Sequence, residues 1–493
     1  MVTIGELQEY CMDLLNTDKR IRQGSASALE GLGREVIPVL EKIIVSQHSL
    51  DQKNWPLLVG AVSTLNLHGI SQDHMVAEYQ RDLIWLPEDQ GRYDLHVHTN
   101  LSDGTQTVEE VVNGAIGSCT KVISLCDHNT MGGVLLAQEL GARYGIRVLP
   151  GCEFSTHMDV GGRNPEWIEV HIAGYFLNPS SAEVQDLFMY TQRRIQLRDI
   201  LIANDFLVET EREFRGQFGH GKGILDIIVE ANRHYATILR KNGIHDKAAY
   251  VDSTMDEVEK DRSIEPRLQK LIHNAARSSL FYDYSREEEN LLRRLILFSG
   301  YMIDHAMNIY SDQMTGKEFT GGNWFSEIKK RQEKYVHCLP KIDPAFVVEG
   351  IHNLGGVAVL SHPTWYTVLS LQKARRKLHE QGEGRPTDAE ETQFREDALR
   401  KGFDVARRMH EIMPNGLQIM ELYHWSYDVE FDLELHYKKL AQELGTSLST
   451  ASDFHGPKKY GEHRSRIGTG VDFNILGTYD QVQRLEGLRQ NAR

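Results

Sequence analysis

The chain lacks any long run of apolar residues. Its 493 residues contain no uninterrupted hydrophobic stretch near the length of about 20 residues that a membrane-spanning helix needs. The N-terminal sequence also lacks the basic start and the apolar middle of a secretory signal. These two absences predict a cytoplasmic protein without a membrane partner.

Cysteine is scarce as well, and no two cysteines form a CxxC pair. This spacing argues against a disulfide framework or a zinc finger and favours reduced thiols packed in a core. Two of the cysteines stand beside Asp127 and Glu153, so thiolate ligands are a less favoured alternative. The five cysteines are Cys11, Cys119, Cys126, Cys152 and Cys338.

Positive charge is in deficit, with a formal net charge of −15. A protein that binds long nucleic acid needs many lysines and arginines on one face, so we expect no such partner. A local basic pocket for one small phosphorylated ligand is still compatible with this charge.

What the chain does contain is a set of seven short β-prone runs, each of which ends in a residue that can bind a metal ion. Short apolar runs separated by helix-like segments are typical of buried parallel strands. A protein that collects ligands from successive strand ends is built like a barrel with its site at one mouth. We therefore predict an α/β fold whose strands form a barrel.

Nine histidines and carboxylates follow this pattern. Each alone has an ordinary explanation: the His96-Val-His98 pair could belong to a surface or a core, and Asp103 could cap a helix or close a turn. Chance does not account for so many at successive strand ends. The nine residues are His96, His98, Asp103, His128, Glu153, His171, His362, Asp453 and His455.

The residue types indicate which ions such a site would bind. Mixed imidazole and carboxylate ligands suit zinc, manganese or iron, whereas calcium and magnesium prefer oxygen. Nine ligands are more than one ion needs at any coordination from tetrahedral to octahedral, and more than two tetrahedral ions need. The count therefore predicts three divalent metal ions with a bridging carboxylate.

The pattern also divides the chain. Residues 1–87 are expected to form an N-terminal helical region, where we place a contact with a partner or with a second copy of the chain. Residues 88–180 and 342–480 form the predicted barrel core, and a helical insertion over 181–341 separates them. A second interruption over 371–400 is turn-rich in its middle and is predicted to be a partly mobile excursion.

The ordered motifs DLHVHT with LSDG, SLCDHNT, PGCEFST, EVHIAGY, VLSHP and ASDFHG resemble those of the PHP (polymerase and histidinol phosphatase) superfamily. The resemblance implies a distorted (β/α)7 TIM-like barrel, the PHP fold, with a trinuclear metal centre and phosphoester hydrolysis. The SDG and SDFHG motifs are most similar to the stand-alone branch of nucleotide phosphatases and 5′-3′ exoribonucleases. The chain departs from that branch in its N-terminal region, in its large insertion, and at Gln418 and Glu421 in the sixth strand.

The resemblance also implies how the ligands share the ions. One ion would be held by His96, His98, Glu153 and Asp453, a second by Glu153, His171 and His362, and a third by Asp103, His128 and His455. We expect in-line attack on the phosphoester by a hydroxide that the metals activate, without a covalent enzyme intermediate.

Other residues are candidates for catalysis and substrate binding. Asp127 could orient His128 or accept a proton, with a structural hydrogen bond to the backbone as the alternative. An Arg-His element of the related branch resembles Arg233-His234, so Arg233 is a candidate for substrate binding and His234 for catalysis, against ordinary solvated helix residues. Basic residues beyond the last ligand could bind phosphate or form a solvated loop; they are Lys458, Arg464 and Arg466.

The first functional hypothesis is metal-dependent hydrolysis of a nucleotide or another small phosphorylated metabolite. An alternative is 5′-3′ exonuclease activity on short RNA or DNA, because aromatic residues after the fifth and sixth strands could stack on bases, although packing is their commoner use. Another alternative is a non-catalytic scaffold, whose sign would be missing ligands; none of the nine is missing. The aromatic residues are Trp365, Tyr366, Tyr423 and Trp425.

Overall fold

A computed structural model describes most of the chain from residue 92 onward. The described residues are 92–117, 120–161, 167–213, 223–278, 282–295, 300–314, 321–380, 386–413, 419–423, 433–456 and 485–489. The N-terminal region over 1–87 and the partner contact predicted there lie outside these residues. So do Cys11, Cys119, Gln418, Trp425, Lys458, Arg464 and Arg466.

Strands and helices alternate along the first and last parts of the described chain, and helices alone fill the middle. The strands are β1 (Arg92–Val97), β2 (Thr120–Leu125), β3 (Arg147–Asp159), β4 (Trp167–Tyr175), β5 (Val357–Leu360), β6 (Ile419–Tyr423) and β7 (Ser447–Ala451). The helices are α1 (Val108–Gly117), α2 (Val134–Tyr144), α3 (Ala182–Glu213), α4 (Ile224–Lys241), α5 (His245–Lys260), α6 (Ile264–Arg277), α7 (Arg286–Leu295), α8 (Gly300–Met314), α9 (Gly321–Tyr335), α10 (Pro344–Asn353), α11 (Thr364–Glu380), α12 (Asp388–Ile412) and α13 (Leu433–Leu444). Among the described helices, none combines the length and the apolar character needed to cross a membrane.

The seven strands form one mixed sheet in the order β1-β2-β3-β4-β5-β6-β7. β1, β2 and β3 are parallel, as are β5, β6 and β7, but β4 is antiparallel to both of its neighbours. The prediction of parallel strands throughout is therefore wrong for β4. Only residues 160–166 connect β3 to β4, fewer than the dozen or so that a parallel crossover needs.

The segment that follows β7, the last strand of the sheet, contacts the end of β1, the first strand. Val97, the last residue of β1, forms a parallel bridge with Phe454 beyond β7, and the His98 amide donates to the Phe454 carbonyl at 2.8 Å. This contact brings the segment of Asp453 and His455 beside the end of β1. Ligands from the first and the last strand therefore lie next to each other.

Both faces of the sheet are apolar. In β5, Ala358 and Leu360 belong to the large core that the sheet forms with surrounding helices, whereas Val357 and Val359 belong to a smaller cluster on the opposite face. Successive side chains of a strand point to opposite faces, which explains the division. Burial on both faces is the reason that these strands appear in the sequence as continuous apolar runs.

The helical insertion has a core of its own. α3 packs against the sheet core near its start, through Leu187, and contributes Leu197 and later residues to a second cluster that α4 to α9 complete. Tyr301 on α8 packs against both clusters. The insertion is thus a separately packed unit that touches the sheet core at defined points.

Residues 371–380 and 388–400 are helical, and most of the turn-rich middle between them, 381–385, lies outside the described residues, so the partly mobile excursion stays a prediction. α12 begins after Thr387, whose hydroxyl accepts from the Glu390 amide while the Glu390 carboxylate accepts from the Thr387 amide. This reciprocal capping box starts a helix directly after turn-rich sequence. Glu391 then pairs with Arg375 of α11 and with Arg395 of its own helix, which ties the two helices together.

Candidate metal centre

The structure brings all nine predicted ligands into one cluster. Within it, three groups have ligand atoms that all lie within 4.8 Å of one another. The groups are His96, His98, Glu153 and Asp453; His98, Asp103, His128 and His455; and His128, Glu153 and His171. His362 adjoins the third group, because its Nε2 lies 3.0 Å from Glu153 Oε1 and 3.3 Å from His171 Nδ1.

Glu153 lies at the centre of this cluster and is 1% exposed. Its Oε2 atom is 3.3 Å from His96 Nε2 and 3.3 Å from His128 Nδ1. Its Oε1 atom is 3.4 Å from His171 Nδ1 and 3.0 Å from His362 Nε2. The two oxygens of one buried carboxylate therefore face different sets of histidines.

Two of the ligands lie inside strands rather than at strand ends. Glu153 lies in the middle of β3, where it pairs with Ala173, and His171 lies in the middle of β4, where it pairs with Ser155 of the same antiparallel ladder. β3 has 13 residues and extends past the end of β2, its parallel neighbour. The prediction that every ligand ends a strand is wrong at these two positions, because β4 runs back along the extension of β3.

Two other ligands have unusual backbone conformations. His362 follows β5 with a φ of 32°, and Asp453 follows β7 with a φ of 49°. Non-glycine residues rarely adopt positive φ angles, and such strain concentrates at functional sites. Asp94 supports the second of these turns, because its carboxylate accepts hydrogen bonds from the amide and the hydroxyl of Ser452.

Asp127 anchors the loop that carries Asp103. The Asp127 carboxylate accepts hydrogen bonds from the Thr99 amide and hydroxyl, both at 2.7 Å, and from the Ser102 hydroxyl. Burial raises the pKa of Asp127 to about 6, against the opposing effect of the Ser102 and Thr99 hydrogen bonds. Both oxygens of Asp127 therefore hold the loop, which agrees with the alternative that Asp127 makes a structural hydrogen bond to the backbone.

Gly104 closes the same loop. A Cβ atom at this position would lie 2.7 Å from the His98 carbonyl oxygen and 2.9 Å from the Thr99 carbonyl carbon. Contacts this short with backbone atoms cannot be relieved by a side-chain rotation. The glycine of the LSDG motif is therefore required for the close return of the chain over the end of β1.

The helical insertion also contacts this loop. The Tyr301 hydroxyl donates to the Asn100 carbonyl, and the Asn242 side-chain amide donates to Asn100 Oδ1 at 3.1 Å. Asn242 Oδ1 in turn accepts from the Val108 amide at 2.9 Å, at the start of α1. The insertion therefore fixes both ends of the segment that contains Asp103.

Glu421 on β6 ends the sixth β-prone run and departs from the family pattern, and it was not among the nine predicted ligands. Its Oε1 accepts a hydrogen bond from His96 Nδ1 at 2.9 Å, and both side chains are fully buried. The Tyr175 hydroxyl lies 3.4 Å from Glu421 Oε2. A carboxylate behind a histidine fixes the ring tautomer and raises its basicity as a ligand. A carboxylate inside an otherwise apolar strand was the available signal.

The second nitrogens of two ligands are oriented by such contacts. Because His96 Nδ1 donates to Glu421, its Nε2 carries the lone pair that faces the cluster, 3.0 Å from His98 Nε2. His455 Nδ1 lies 2.7 Å from the Asp453 carbonyl, which leaves His455 Nε2 directed at Asp103 Oδ1 at 3.2 Å.

The buried groups shift one another's pKa values. Burial raises the pKa of Glu153, but His96, His171 and His128 outweigh it and hold that pKa well below its usual value. Burial lowers the pKa of His96, yet the carboxylates of Glu421 and Glu153 dominate and the net shift is upward. The cluster therefore retains negative carboxylate charge at neutral pH, which is the charge that attracts cations.

The arrangement fits bound divalent metal ions. Two donors on one tetrahedral ion, each about 2.1 Å from it, lie roughly 3.4 Å apart. The donor separations of 3.0 to 3.7 Å around His96 match this value. Within the described residues, His128 Nδ1 and Asp453 Oδ1 are also buried without a hydrogen-bond partner, as atoms reserved for ions would be.

The two cysteines beside the ligands behave as packed thiols. Cys126 donates to the Leu95 carbonyl at 3.3 Å, and Cys152 donates to the Asp127 carbonyl at 3.4 Å. Burial raises the pKa of Cys126 to about 12 and that of Cys152 well above its usual value. Protonated, hydrogen-bonded thiols do not act as thiolate ligands. The contacts of Cys126 and Cys152 therefore agree with the interpretation of reduced thiols packed in a core.

The structure does not bring Arg233 to the cluster. Its guanidinium pairs with Asp256 at 2.7 Å and with Glu259 at 2.5 Å, both on α5. His234 is exposed on α4, and its ring centroid lies 5.4 Å from that of Tyr301. His234 is thus separated from the Asp103 loop by one aromatic ring.

Parts of this chain are similar to known proteins. Residues 94–294 match the model of the PHP domain family. Three similar proteins are a phosphoribosyl 1,2-cyclic phosphate 1,2-diphosphodiesterase of Eggerthella lenta, a 5′-3′ exoribonuclease of Haemophilus influenzae and a 3′,5′-nucleoside bisphosphate phosphatase of Chromobacterium violaceum. They are 38%, 35% and 37% identical over 24%, 17% and 18% of this chain, respectively.

The aligned segments cover 45%, 28% and 28% of these three relatives, so the chain spans less than half the length of each. The family match begins at Asp94 and includes the ligands of β1 to β4. Residues 94–294, which include six of the nine predicted ligands, are therefore similar to a PHP domain.

Proposed function

We propose that this protein hydrolyses phosphoesters with bound divalent metal ions, and that its substrate is a nucleotide or another small phosphorylated metabolite. The observation that carries the proposal is the position of Glu153, whose two oxygens face His96 and His128 on one side and His171 and His362 on the other. A carboxylate that bridges two ions has this arrangement. The names of the relatives, which all describe hydrolysis of a phosphorus ester, agree with it.

The proposal assigns three ions of zinc, manganese or iron. One would be held by His96, His98, Glu153 and Asp453, a second by Glu153, His171 and His362, and a third by Asp103, His128 and His455. When bound, such ions neutralise phosphate charge, lower the pKa of water and stabilise the departing oxygen.

The chain's own residues orient these ligands. Glu421 fixes the His96 ring, and the Asp453 carbonyl fixes the His455 ring. Asp127 acts in this proposal as a positioning residue for the Asp103 loop, since its oxygens accept the hydrogen bonds of that loop. The catalytic role of His234 and the phosphate-binding roles of Lys458, Arg464 and Arg466 stay predictions.

We also propose that the mixed sheet closes into the distorted (β/α)7 barrel of the PHP fold, with a core over 88–180 and 342–480 and the insertion over 181–341. The Val97–Phe454 bridge supports closure. The separate apolar core of the insertion supports the division. The cytoplasmic location stays a prediction.

Phosphate release by metal-loaded protein tests the proposed function. The chain is stripped with a chelator, reloaded with manganese, zinc or iron, and assayed with adenosine 5′-monophosphate and p-nitrophenyl phosphate. Glu153→Gln should lose more than about 100-fold in rate, because it removes a ligand rather than a residue behind one. Glu391→Gln, the same change in a remote ion pair, is the matched control. The proposal fails if the loaded wild type releases no phosphate or if Glu153→Gln keeps its rate.

A second candidate activity is 5′-3′ exonuclease action on short RNA or DNA. It is favoured by a cavity of about 540 Å³ that extends from His171 and His362 to residues of α11 and α12, beyond the predicted ligands. Stepwise shortening of a 5′-phosphorylated pentanucleotide would support this activity, and release of phosphate from mononucleotides alone would exclude it. Bound metal without turnover of any of these compounds would instead favour the non-catalytic scaffold.

A further inference from the structure

A cavity of about 540 Å³ connects the metal-centre candidates to the α11–α12 helix pair. His171 and His362 line one part of it, and Lys373 of α11 and Lys401 of α12 line another. We propose that Lys373 and Lys401 form a second anion subsite, which binds a non-scissile phosphate of the substrate. This inference rests on the proposed function, because it assigns a role to the far part of the same cavity.

The geometry of α11 sets the direction of the cavity. Trp365, Leu369 and Lys373 all line it and are spaced four residues apart, so they share one face of the helix. Trp365 follows His362 by three residues. Lys373 lies roughly 12 Å further along the helix axis, since each residue adds about 1.5 Å. The cavity wall therefore leads from a metal-ligand candidate, past an indole ring, to an ammonium group.

The two lysines differ from the neighbouring arginines in having no carboxylate partner. Arg375, Arg395 and Arg400 on the same helices pair with carboxylates of α12. Within the described residues, no ion pair involves Lys373 or Lys401, and both side chains are exposed. In a chain of net charge −15, two such ammonium groups on one cavity wall are suited to an anion.

Aromatic side chains line the wall between the two ends. Trp365 and Trp167 are half-buried and both line the cavity, and Lys341 Nζ lies 5.4 Å from the centroid of the Trp167 ring. The Tyr366 hydroxyl donates to the Glu169 carbonyl at 2.9 Å, which holds that ring against β4. Base stacking on such rings tolerates any base.

Together these features fit a substrate with one phosphate at the metal-centre candidates, an aromatic base along the indole wall and a further phosphate at Lys373 and Lys401. A nucleoside with two phosphates and a short 5′-phosphorylated oligonucleotide both have this chemistry. Both lysines lie outside residues 94–294, the part of the chain that matches the PHP domain model. The two carboxylates that also line the cavity, Glu169 and Asp404, lie near His171 and Arg407, respectively.

Steady-state kinetics of the manganese-loaded full chain test the subsite. The substrates are adenosine 5′-monophosphate, adenosine 3′,5′-bisphosphate and the dinucleotide pApA. For Lys373→Ala/Lys401→Ala we expect KM to rise roughly tenfold, about 1.4 kcal/mol, for a substrate with two phosphates and to stay unchanged for the monophosphate. The control Lys377→Ala/Lys439→Ala removes two exposed lysines that do not line the cavity and should match wild type. A higher KM of the double variant for the bisphosphate would show that the subsite binds a terminal phosphate. A higher KM for pApA would show that it binds an internal phosphodiester.

Unchanged KM values for both two-phosphate substrates in the double variant would overturn the inference. Equilibrium binding of radiolabelled adenosine 3′,5′-bisphosphate separates this failure from failure of the proposed function. If wild type binds the bisphosphate more tightly than the double variant but neither protein turns it over, the subsite is supported and the hydrolase proposal is refuted. If wild type turns over substrate and the double variant binds the bisphosphate as tightly as wild type, only the subsite is refuted. If wild type neither binds the bisphosphate nor turns over any substrate, the subsite and the hydrolase proposal are both refuted.

Discussion

Replacing Glu421 with glutamine should weaken metal binding without disturbing the fold. The change keeps the shape of the side chain but removes the negative charge that lies 2.9 Å from His96 Nδ1. Both side chains are fully buried, so water cannot substitute for the lost charge. The Nε2 atom of His96 then becomes a weaker metal ligand, and the tautomer of the ring is less firmly fixed.

The size of the effect follows from the position of Glu421 behind a ligand. Loss of such a carboxylate typically costs about 10- to 100-fold in metal affinity, or roughly 1.4 to 2.7 kcal/mol. Only the group of His96, His98, Glu153 and Asp453 should be affected strongly. Binding at the other groups should change by less than about threefold, because Glu421 contacts none of their other members.

Competition of the apo-protein with a chromophoric chelator for manganese or zinc measures this difference. Glu391→Gln makes the same substitution in the Arg375 ion pair on the α11–α12 surface and should bind metal like wild type. Thermal unfolding of the apo-proteins checks that Glu421→Gln is folded. Equal affinities for Glu421→Gln and wild type would refute the argument that this carboxylate supports a ligand.

Three further predictions concern the site loop and the core. Tyr301→Phe removes the hydrogen bond to the Asn100 carbonyl and should weaken metal binding at the group nearest that loop about threefold, measured by the same chelator competition; an unchanged affinity would contradict a positioning role. Gly104→Ala should lower the free energy of unfolding by about 1–3 kcal/mol in urea titrations, because its Cβ would meet the His98 carbonyl, and a stability equal to wild type would contradict this. Burial holds the pKa of His157 well below its usual value, so the unfolded chain takes up a proton first as the pH falls below about 6.5. The free energy of unfolding should therefore decrease more from about pH 7.5 to about pH 5.5 for wild type than for His157→Gln, and parallel decreases would exclude this residue as a source.

The ligand set could be predicted from the sequence because its members lie in or near short apolar runs. Strand ends on one side of a sheet share an edge, so spacing such as that of His96 and His98 already implies proximity. The structure brings these residues together, and their role as ligands stays to be tested. The mixed sheet was not foreseen, because apolar runs are similar in parallel and antiparallel buried strands, and only the short 160–166 connection distinguishes β4.

The supporting residues were harder to predict. Glu421 and Asp94 contact their partners across the sheet, at sequence separations of 325 and 358 residues. Local pattern carries no information on such pairs. Arg233 shows the converse: its resemblance to a family element predicted substrate contact, but the acidic residues of α5 lie closer and neutralise its charge.

Locating and counting the metal ions in manganese-loaded protein tests the central claim most directly. Anomalous diffraction from crystals of the manganese-loaded chain should give peaks within about 2.0–2.3 Å of His96, Glu153 and Asp453, and further peaks among the remaining ligands. Mass spectrometry of the same sample should give about three ions per chain, since the nine residues, with Glu153 shared, supply four, three and three ligands to the three proposed ions. Absence of any peak among these side chains, in protein that retains its fold, would contradict the account.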